Sequence, residues 1–426
     1  MITIYKGHIL FTKTPQQFEV IENGYIAVEN GKIIDILHTL SDTYQQSQLI
    51  DYGNKLIVPG MNDLHVHAPQ YRNLGIAMDM ELLPWLQNYT FPEEIKYSDE
   101  SYARTMYQKF IKNSWQEGTT RCVAFATSHT QSTELLMQLY EQSGLGAYIG
   151  KVAMNRNCPT ELCEEVDDTI NDINLLIKKW NKTNHLVKPI ITPRFIPSCT
   201  PELLTKLGQI AIKQRIPVQS HLSENQGEIA WIKKLEPNAL TYGHAYDQYQ
   251  LFGQTPTLMA HCCYTKNEEL ELMEKNGVIA VHCPTSNCNL GSGIAPIRSF
   301  LNHNVPVALG SDISAGHSLS IFKVMVYAIQ VSKLWYIYSQ KEDKFLSLAE
   351  VFYMATKSGG SFFGKVGSFE PGYEFDALVI DDTDLNHDNY TLLERLERFI
   401  YIGDNRQIKH RYVRGKRIDE PTFKNV

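Results

Sequence analysis

The sequence predicts an α/β chain, a (β/α)8 TIM-like barrel carrying a small β-sandwich formed from both chain ends. Three observations predict it. First, eight short apolar runs alternate with longer polar–apolar periodic stretches between residues 61 and 312, the texture of buried parallel strands crossed over by helices. Second, eight such units over about 250 residues match the size of a closed barrel. Third, chargeable residues recur at the carboxyl ends of several different runs, as a barrel rim requires. The GxGxxG phosphate turns often found in an open doubly wound sheet are absent from the strand exits.

Residues 1–58 read as short strands and turns. ITIYKGHILFT alternates, and Glu22-Asn23-Gly24 and Glu29-Asn30-Gly31 mark turns, because Asn-Gly pairs favour tight hairpins. No helix-length periodic stretch appears there. The barrel runs follow at 61–67, 119–127, 146–154, 187–195, 216–224, 256–264, 277–285 and 305–312. Helices are expected at 98–117, 130–143, 161–180, 200–214, 225–235, 266–276, 296–303, 318–339 and 347–358. Between the first two runs, residues 72–97 form a long aromatic-rich exit, a lid or pocket wall rather than a mere connector. The tail returns to strand texture, with a Pro-Gly turn before the run ALVI and a turn near Gly415. Half-exposed apolar faces at both ends give a motive for pairing. The expected division is therefore 1–58 and 366–426 as the two parts of the β-sandwich, and 59–365 as the barrel. A separate C-terminal domain is the alternative.

Composition narrows the function. Lys and Arg total 40 against 47 Asp and Glu, a formal net charge of −7 with no basic block, so no nucleic-acid or anionic-membrane partner is expected. There is no run of 18 uncharged apolar residues, and MITIYKGHILFTKT lacks the apolar core of a signal peptide. The eight cysteines form no CxxC pair, which favours free thiols in a reducing, cytoplasmic setting.

The chain is organised around LIVPGMNDLHVHAPQY, residues 56–71. Alternate strand residues share a face, so His65 and His67 point the same way. Run five ends in His221, with Glu224 three residues on. Run six ends in His261, run seven carries His282, and run eight ends in Asp312. Barrel closure brings these distant residues to one mouth, with strand eight beside strand one. Three imidazoles and a carboxylate (His65, His67, His221 and Asp312) suit one borderline divalent ion, Zn²⁺ or Fe²⁺. A water there would ionise near neutrality. Glu224 is placed to carry protons between that water and a substrate, and Asp312 to accept one as attack begins. His261 and His282 stand next along the rim, and His261 is the better placed to hydrogen-bond an oxygen that develops negative charge.

Arg194 is a fork of donors at the end of run four, suited to a carbonyl or carboxylate, and Phe195 suits stacking on a flat ring. A surface ion pair and a core plug are equally weighted readings of these two. Gln70 offers both a donor and an acceptor, as a purine edge would need. His129 reads as structural or substrate-contacting with even weight, and Cys262 and Cys263 as packed thiols. Run four ends in Thr192-Pro193-Arg194-Phe195, and Lys188 lies at the wrong end of it to supply a bridging ligand for a second metal.

These residues resemble the metal-dependent amidohydrolase superfamily. Its order is HxH on strand one, single histidines after strands five and six, and Asp after strand eight. Within it the chain is similar to the guanine-deaminating branch, through His67-Ala-Pro-Gln70-Tyr71, the stretch Leu83 to Pro92, Pro193-Arg194-Phe195, the run from Gln219 to Asn225, and His282-Cys-Pro-Thr-Ser-Asn287. The resemblance covers nearly the whole chain. It implies one zinc, a homodimer, and hydrolysis of guanine to xanthine and ammonia in cytoplasmic purine catabolism. It also implies that Gln70 reads the guanine edge, Arg194 binds the carbonyl and Phe195 lines the pocket. By the same resemblance Glu224 protonates a ring nitrogen, His261 orients the reacting centre, Asp312 is ligand and base, and Trp85 and Phe91 help close the pocket, which His282 borders. The runner-up is deamination or dechlorination of another aromatic ring: an adenosine-like nucleoside, cytosine, 8-oxoguanine, a pterin or a triazine. A non-catalytic binding protein would be expected to have lost Glu224, Asp312 or a histidine, and all are present.

Overall fold

The structure is a computed structural model and describes residues 2–340, 343–386 and 388–424. The eight expected runs each contain a strand: Met61–His67, Thr119–Phe125, Gly146–Gly150, Val187–Pro189, Val218–Leu222, Thr257–His261, Ile279–His282 and Val307–Leu309. They make two parallel four-stranded arcs, strands one to four and five to eight. Backbone hydrogen bonds join the arcs at both seams. At one, Ile191 N donates to Pro217 O and Gln219 N donates to Ile191 O, both at 2.9 Å, linking strands four and five. At the other, Asp312 N donates to His65 O (2.8 Å) and His67 N to Ile313 O (3.0 Å). The barrel therefore closes between strands eight and one, beside the metal-type residues. Leu64, Val123, Leu258, Ile279, Val281 and Ala308, from five different strands, and Ile190, just past strand four, pack as one buried cluster. Gly310 permits the close approach at the seam, since a Cβ there would lie 2.8 Å from His65 Cβ.

Helix boundaries follow local chemistry. Asp99 caps Glu100–Gln116, Thr200 caps Pro201–Gln214 with proline in the first turn, and Gly144 takes a left-handed φ of 75° to end Thr130–Ser143. The expected helix at 161–180 begins at Val166, after a short turn at Thr160–Leu162.

The two chain ends join as expected, in one hydrogen-bonded sheet of seven strands rather than two separately paired layers. The pivot is Gln48–Pro59. It runs parallel to Ile2–Thr14, and its last four residues pair antiparallel with Ala377–Ile380 from the tail. Alternation explains the long apolar runs. Leu56, Val58, Leu378 and Ile380 face the barrel core, whereas Ile57, Ala377 and Val379 pack with Tyr5, Phe375 and Tyr412 on the other side.

Two local expectations change. Glu22-Asn23-Gly24 is a bulge inside strand Gln17–Glu29, where pairing jumps from Gly7–Gly24 to Ile9–Ile21 and Asn23 takes φ 49°. The true hairpin turns lie at Pro15-Gln16 and at Asn30-Gly31, the latter with both residues at positive φ. The tail also holds a helix, Leu392–Ile402, which strand texture did not predict. Its Thr391/Glu394 capping box is legible in the sequence, and Phe399 packs edge-on against Phe322 of helix Ile321–Tyr338.

Candidate active site

Strand one delivers His65 and His67 to the barrel mouth, strand five His221, strand six His261, and the exit of strand eight Asp312. All five are buried or nearly so. Asp312 Oδ1 lies 3.2 Å from His65 Nε2 and 3.5 Å from His67 Nε2, and the Nε2 atoms of His67 and His221 are 3.2 Å apart. His221 Nδ1 donates to the Arg194 carbonyl at 2.6 Å, which fixes the tautomer and leaves the Nε2 lone pair facing the cluster. Burial, with the crowding of neighbouring rings, keeps His67 and His221 well below the usual imidazole range, so both are neutral. Burial alone would raise Asp312, but His65, His261 and His67 more than offset it and hold the carboxylate well below its ordinary value. His65 Nε2 is buried without a hydrogen-bond partner. Neutral imidazoles converging on an ionised carboxylate fit a divalent ion of the zinc or iron kind.

His261 differs in its surroundings. Burial would lower it, yet Glu224 and Asp312 raise it overall, and its Nδ1–H is held by Asn287 Oδ1 at 2.9 Å. Its Nε2 faces Glu224 at 3.5 Å and Asp312 at 3.8 Å. Its ring also lies within ligand distance of His65 and His221. His261 (φ 72°) and Asp312 (φ 48°) are both left-handed, at about 1–2 kcal/mol each, strain of the kind that collects at working sites.

Glu224 is buried, and burial raises its proton affinity, with His261 opposing and Asp312 adding. Ser292 donates to its Oε1 at 2.9 Å. Its backbone N–H is held at 3.1 Å by Glu228, whose other oxygen accepts from Tyr242 at 2.9 Å. Burial first, then the Glu224 charge, pushes Glu228 up to about 7.

The cavity over this cluster spans about 430 Å³ when the open solvent at its mouth is included. His67, His221, Glu224, Glu228, His261 and Asp312 form its floor. Gln70, Arg194 and Phe195 form one side, and Leu82, Trp85, Leu86, Leu290 and Ala315 an apolar wall. Residues 72–97 thus supply a wall, through helix Leu82–Trp85 and the turn that follows.

Most sequence-predicted site residues therefore meet in one place. His282, expected to contact substrate, is not among the residues that line this cavity. It borders a separate cleft with Ala295, Pro296 and Trp335. Phe91 is likewise not in the lining; its ring lies beneath Arg194 at 5.1 Å. His129 lies in a different surface cleft with Thr130 and Glu164. Sequence reasoning missed Asp63, Glu94, Glu228, Asn287 and Ser292. Asp63 accepts from the backbone of His65 (3.3 Å) and Ser311 (2.9 Å), tying strand one to strand eight. Its two-residue spacing from His65 and the four-residue spacing of Glu228 from Glu224 were usable signals. Glu94 carried none.

His282 gives a stability prediction. Burial, with nearby His261, holds it down to about 3 from an ordinary 6.5. The unfolded chain binds this proton at higher pH than the folded one. Stability is therefore full above 6.5 and is lost as pH falls toward 3, by about 3 kcal/mol at pH 4. His282→Gln is expected to flatten the thermal-melting profile between pH 6.5 and 4. A variant with an unchanged acid slope would remove His282 as the cause.

Comparison with known proteins agrees with this geometry. Residues 56–418 match the amidohydrolase family model. The chain belongs to the amidohydrolase family. A guanine deaminase of C. acetobutylicum, solved with guanine in its active site, superposes with a TM-score of 0.97 at 54% identity, covering 98% of this chain and 100% of that one. The guanine deaminase of Dictyostelium discoideum is 35% identical over 98% of both chains, and that of Escherichia coli (strain K12) is 34% identical over 94% of this chain and 92% of its own.

Proposed function

We propose that this chain is a guanine deaminase, hydrolysing guanine to xanthine and ammonia. The observation that carries the reading is one cavity joining a His/Asp metal-type cluster and a buried acid, Glu224, to a polar side of Gln70 and Arg194. Near-full-length likeness to guanine deaminases supports it.

His65, His67, His221 and Asp312 would hold one divalent ion, zinc in preference to iron, whose charge makes a neighbouring water acidic enough to attack near neutral pH. Arg194 donates to the purine carbonyl, Gln70 pairs with the ring edge, and Phe195 and Trp85 pack on its faces and rim. Asp312 accepts a proton from the attacking water. Glu224 transfers a proton to the ring nitrogen beside the attacked carbon, for which its raised affinity suits it. His261, aimed by Asn287, donates to the oxygen that gains negative charge. The carbon–oxygen bond forms; of the two protons the water loses, one reaches the ring nitrogen through Glu224 and the other, taken up by Asp312, passes to the exocyclic amine, and the carbon–nitrogen bond then breaks to release ammonia.

The wider reading divides the chain into a barrel, 59–365, and a small sheet domain from 1–58 and 366–426, and makes it a homodimer of the cytoplasm. Among the described residues no helix is long and apolar enough to cross a membrane. The test is ammonia release together with the ultraviolet change of guanine becoming xanthine, in zinc-loaded protein. Turnover of adenosine, cytosine or a triazine with guanine untouched would keep the barrel and cluster and overturn the substrate.

A further inference from the structure

Glu94 is the unexplained group beside the cavity. It lies on helix Phe91–Ile95, at the end of the wall segment, and is fully buried. Its two oxygens are divided between two cavity-lining residues. Oε1 accepts from Gln70 Nε2 at 2.9 Å, and Oε2 from Arg194 Nη1 at 2.7 Å. Gln70 and Arg194 are themselves 2% exposed, so this is a closed, buried triad behind the lining rather than a surface ion pair. The Phe91 ring, three residues before Glu94, covers the guanidinium.

A carboxylate of this kind decides the polarity of what it touches. It only accepts, so the end of Gln70 facing it must be the NH₂ group. The Gln70 oxygen then faces the other way, where the backbone N–H of Ser314 donates to it at 3.4 Å. Both neighbours select one amide orientation. A flipped amide would set oxygen against oxygen at Glu94. Arg194 is held by one nitrogen in a charge-assisted bond, leaving its remaining donors for the cavity. Donors from an arginine suit a purine carbonyl and the ring nitrogen beside it.

Resting on the guanine reading above, we infer that Glu94 is a positioning residue for substrate recognition: it fixes the donor–acceptor pattern that Gln70 and Arg194 present to the ring, and so sets selectivity for a purine bearing a carbonyl. Glu94 does not line the cavity and takes no proton in the reaction. Its loss should therefore act on substrate binding more than on chemistry. The same triad ties the wall segment to the exits of strands one and four, so recognition and the wall are built as one unit.

The test compares parent, Glu94→Gln and Glu94→Asp, each checked for metal content and melting temperature, with guanine and with 2-aminopurine, which lacks the carbonyl. In Glu94→Gln, KM for guanine should rise about 10- to 100-fold, the loss of one charge-assisted hydrogen bond, with kcat held within about threefold. The preference for guanine over 2-aminopurine should shrink by a similar factor. Glu94→Asp keeps the charge and should recover part of that preference. If the amide variant does not fold, Glu94→Asp carries the test by a raised KM at near-parental kcat. Unchanged KM and preference in a guanine-active background overturn the assignment of Glu94 alone, as does an equal fall of kcat for both substrates. A parent that leaves guanine untouched overturns the substrate reading and this inference with it.

Discussion

Replacing Glu224 by Gln lowers kcat for guanine by about 10²- to 10⁴-fold, the usual contribution of a general acid–base group, while KM and metal content stay near parental values. The size follows from what the side chain does. Glu224 is a buried carboxyl whose proton affinity is raised by burial, and it lines the cavity beside the His/Asp cluster without belonging to it. Glutamine keeps the shape and can still accept from Ser292, so the fold is undisturbed, but it can neither take nor give the proton. An effect on kcat with intact metal content separates a proton carrier from a ligand. If Glu224→Gln retained more than a tenth of parental kcat, the proton path would have to run through Asp312 alone. If it lost the metal instead, Glu224 would belong in the coordination sphere and His261 would need a new assignment.

Much of this arrangement was legible in the chain because it depends on order and periodicity. The barrel followed from eight apolar runs, each of which contains a strand. The cluster followed from where His65, His67, His221 and Asp312 fall within those runs, since strand ends in a closed barrel share one mouth. Less legible were features that depend on long-range contact. Glu94 sits in an irregular wall segment, and nothing local distinguishes it from the neighbouring Glu93, which instead forms an ion pair with Lys96. His282 ends its strand as His261 ends its own, but it borders another cleft. Asn23-Gly24 carried a hairpin signal and became a bulge, because the strand continues to pair with Ile2–Thr14 on both sides of it. A turn signal reports a backbone willing to adopt positive φ, not a reversal of the chain.

The largest single loss should come from removing the metal. Treatment with a chelator is expected to reduce turnover by at least about 10³-fold and to lower the melting temperature, since an ion bound at a thousand times its Kd contributes about 4 kcal/mol to the folded state. Readdition of Zn²⁺ or Fe²⁺ should restore both, and which ion restores more decides between them. The stability readout matters as much as the activity. Neutral imidazoles with Nε2 atoms 3.2 Å apart and a buried ionised carboxylate are costly to hold together unless a cation compensates them. His221→Ala and Asp312→Asn should each lose the metal and the chelator-sensitive part of the melting temperature together. Should chelation leave both turnover and melting unchanged at zero measured metal, the convergence of these side chains would need an explanation that does not involve an ion. The catalytic burden would then fall on Glu224, His261 and Asp312. Partial loss of turnover with full loss of the stability increment would point to a bound ion that holds the mouth of the barrel together more than it assists the attack.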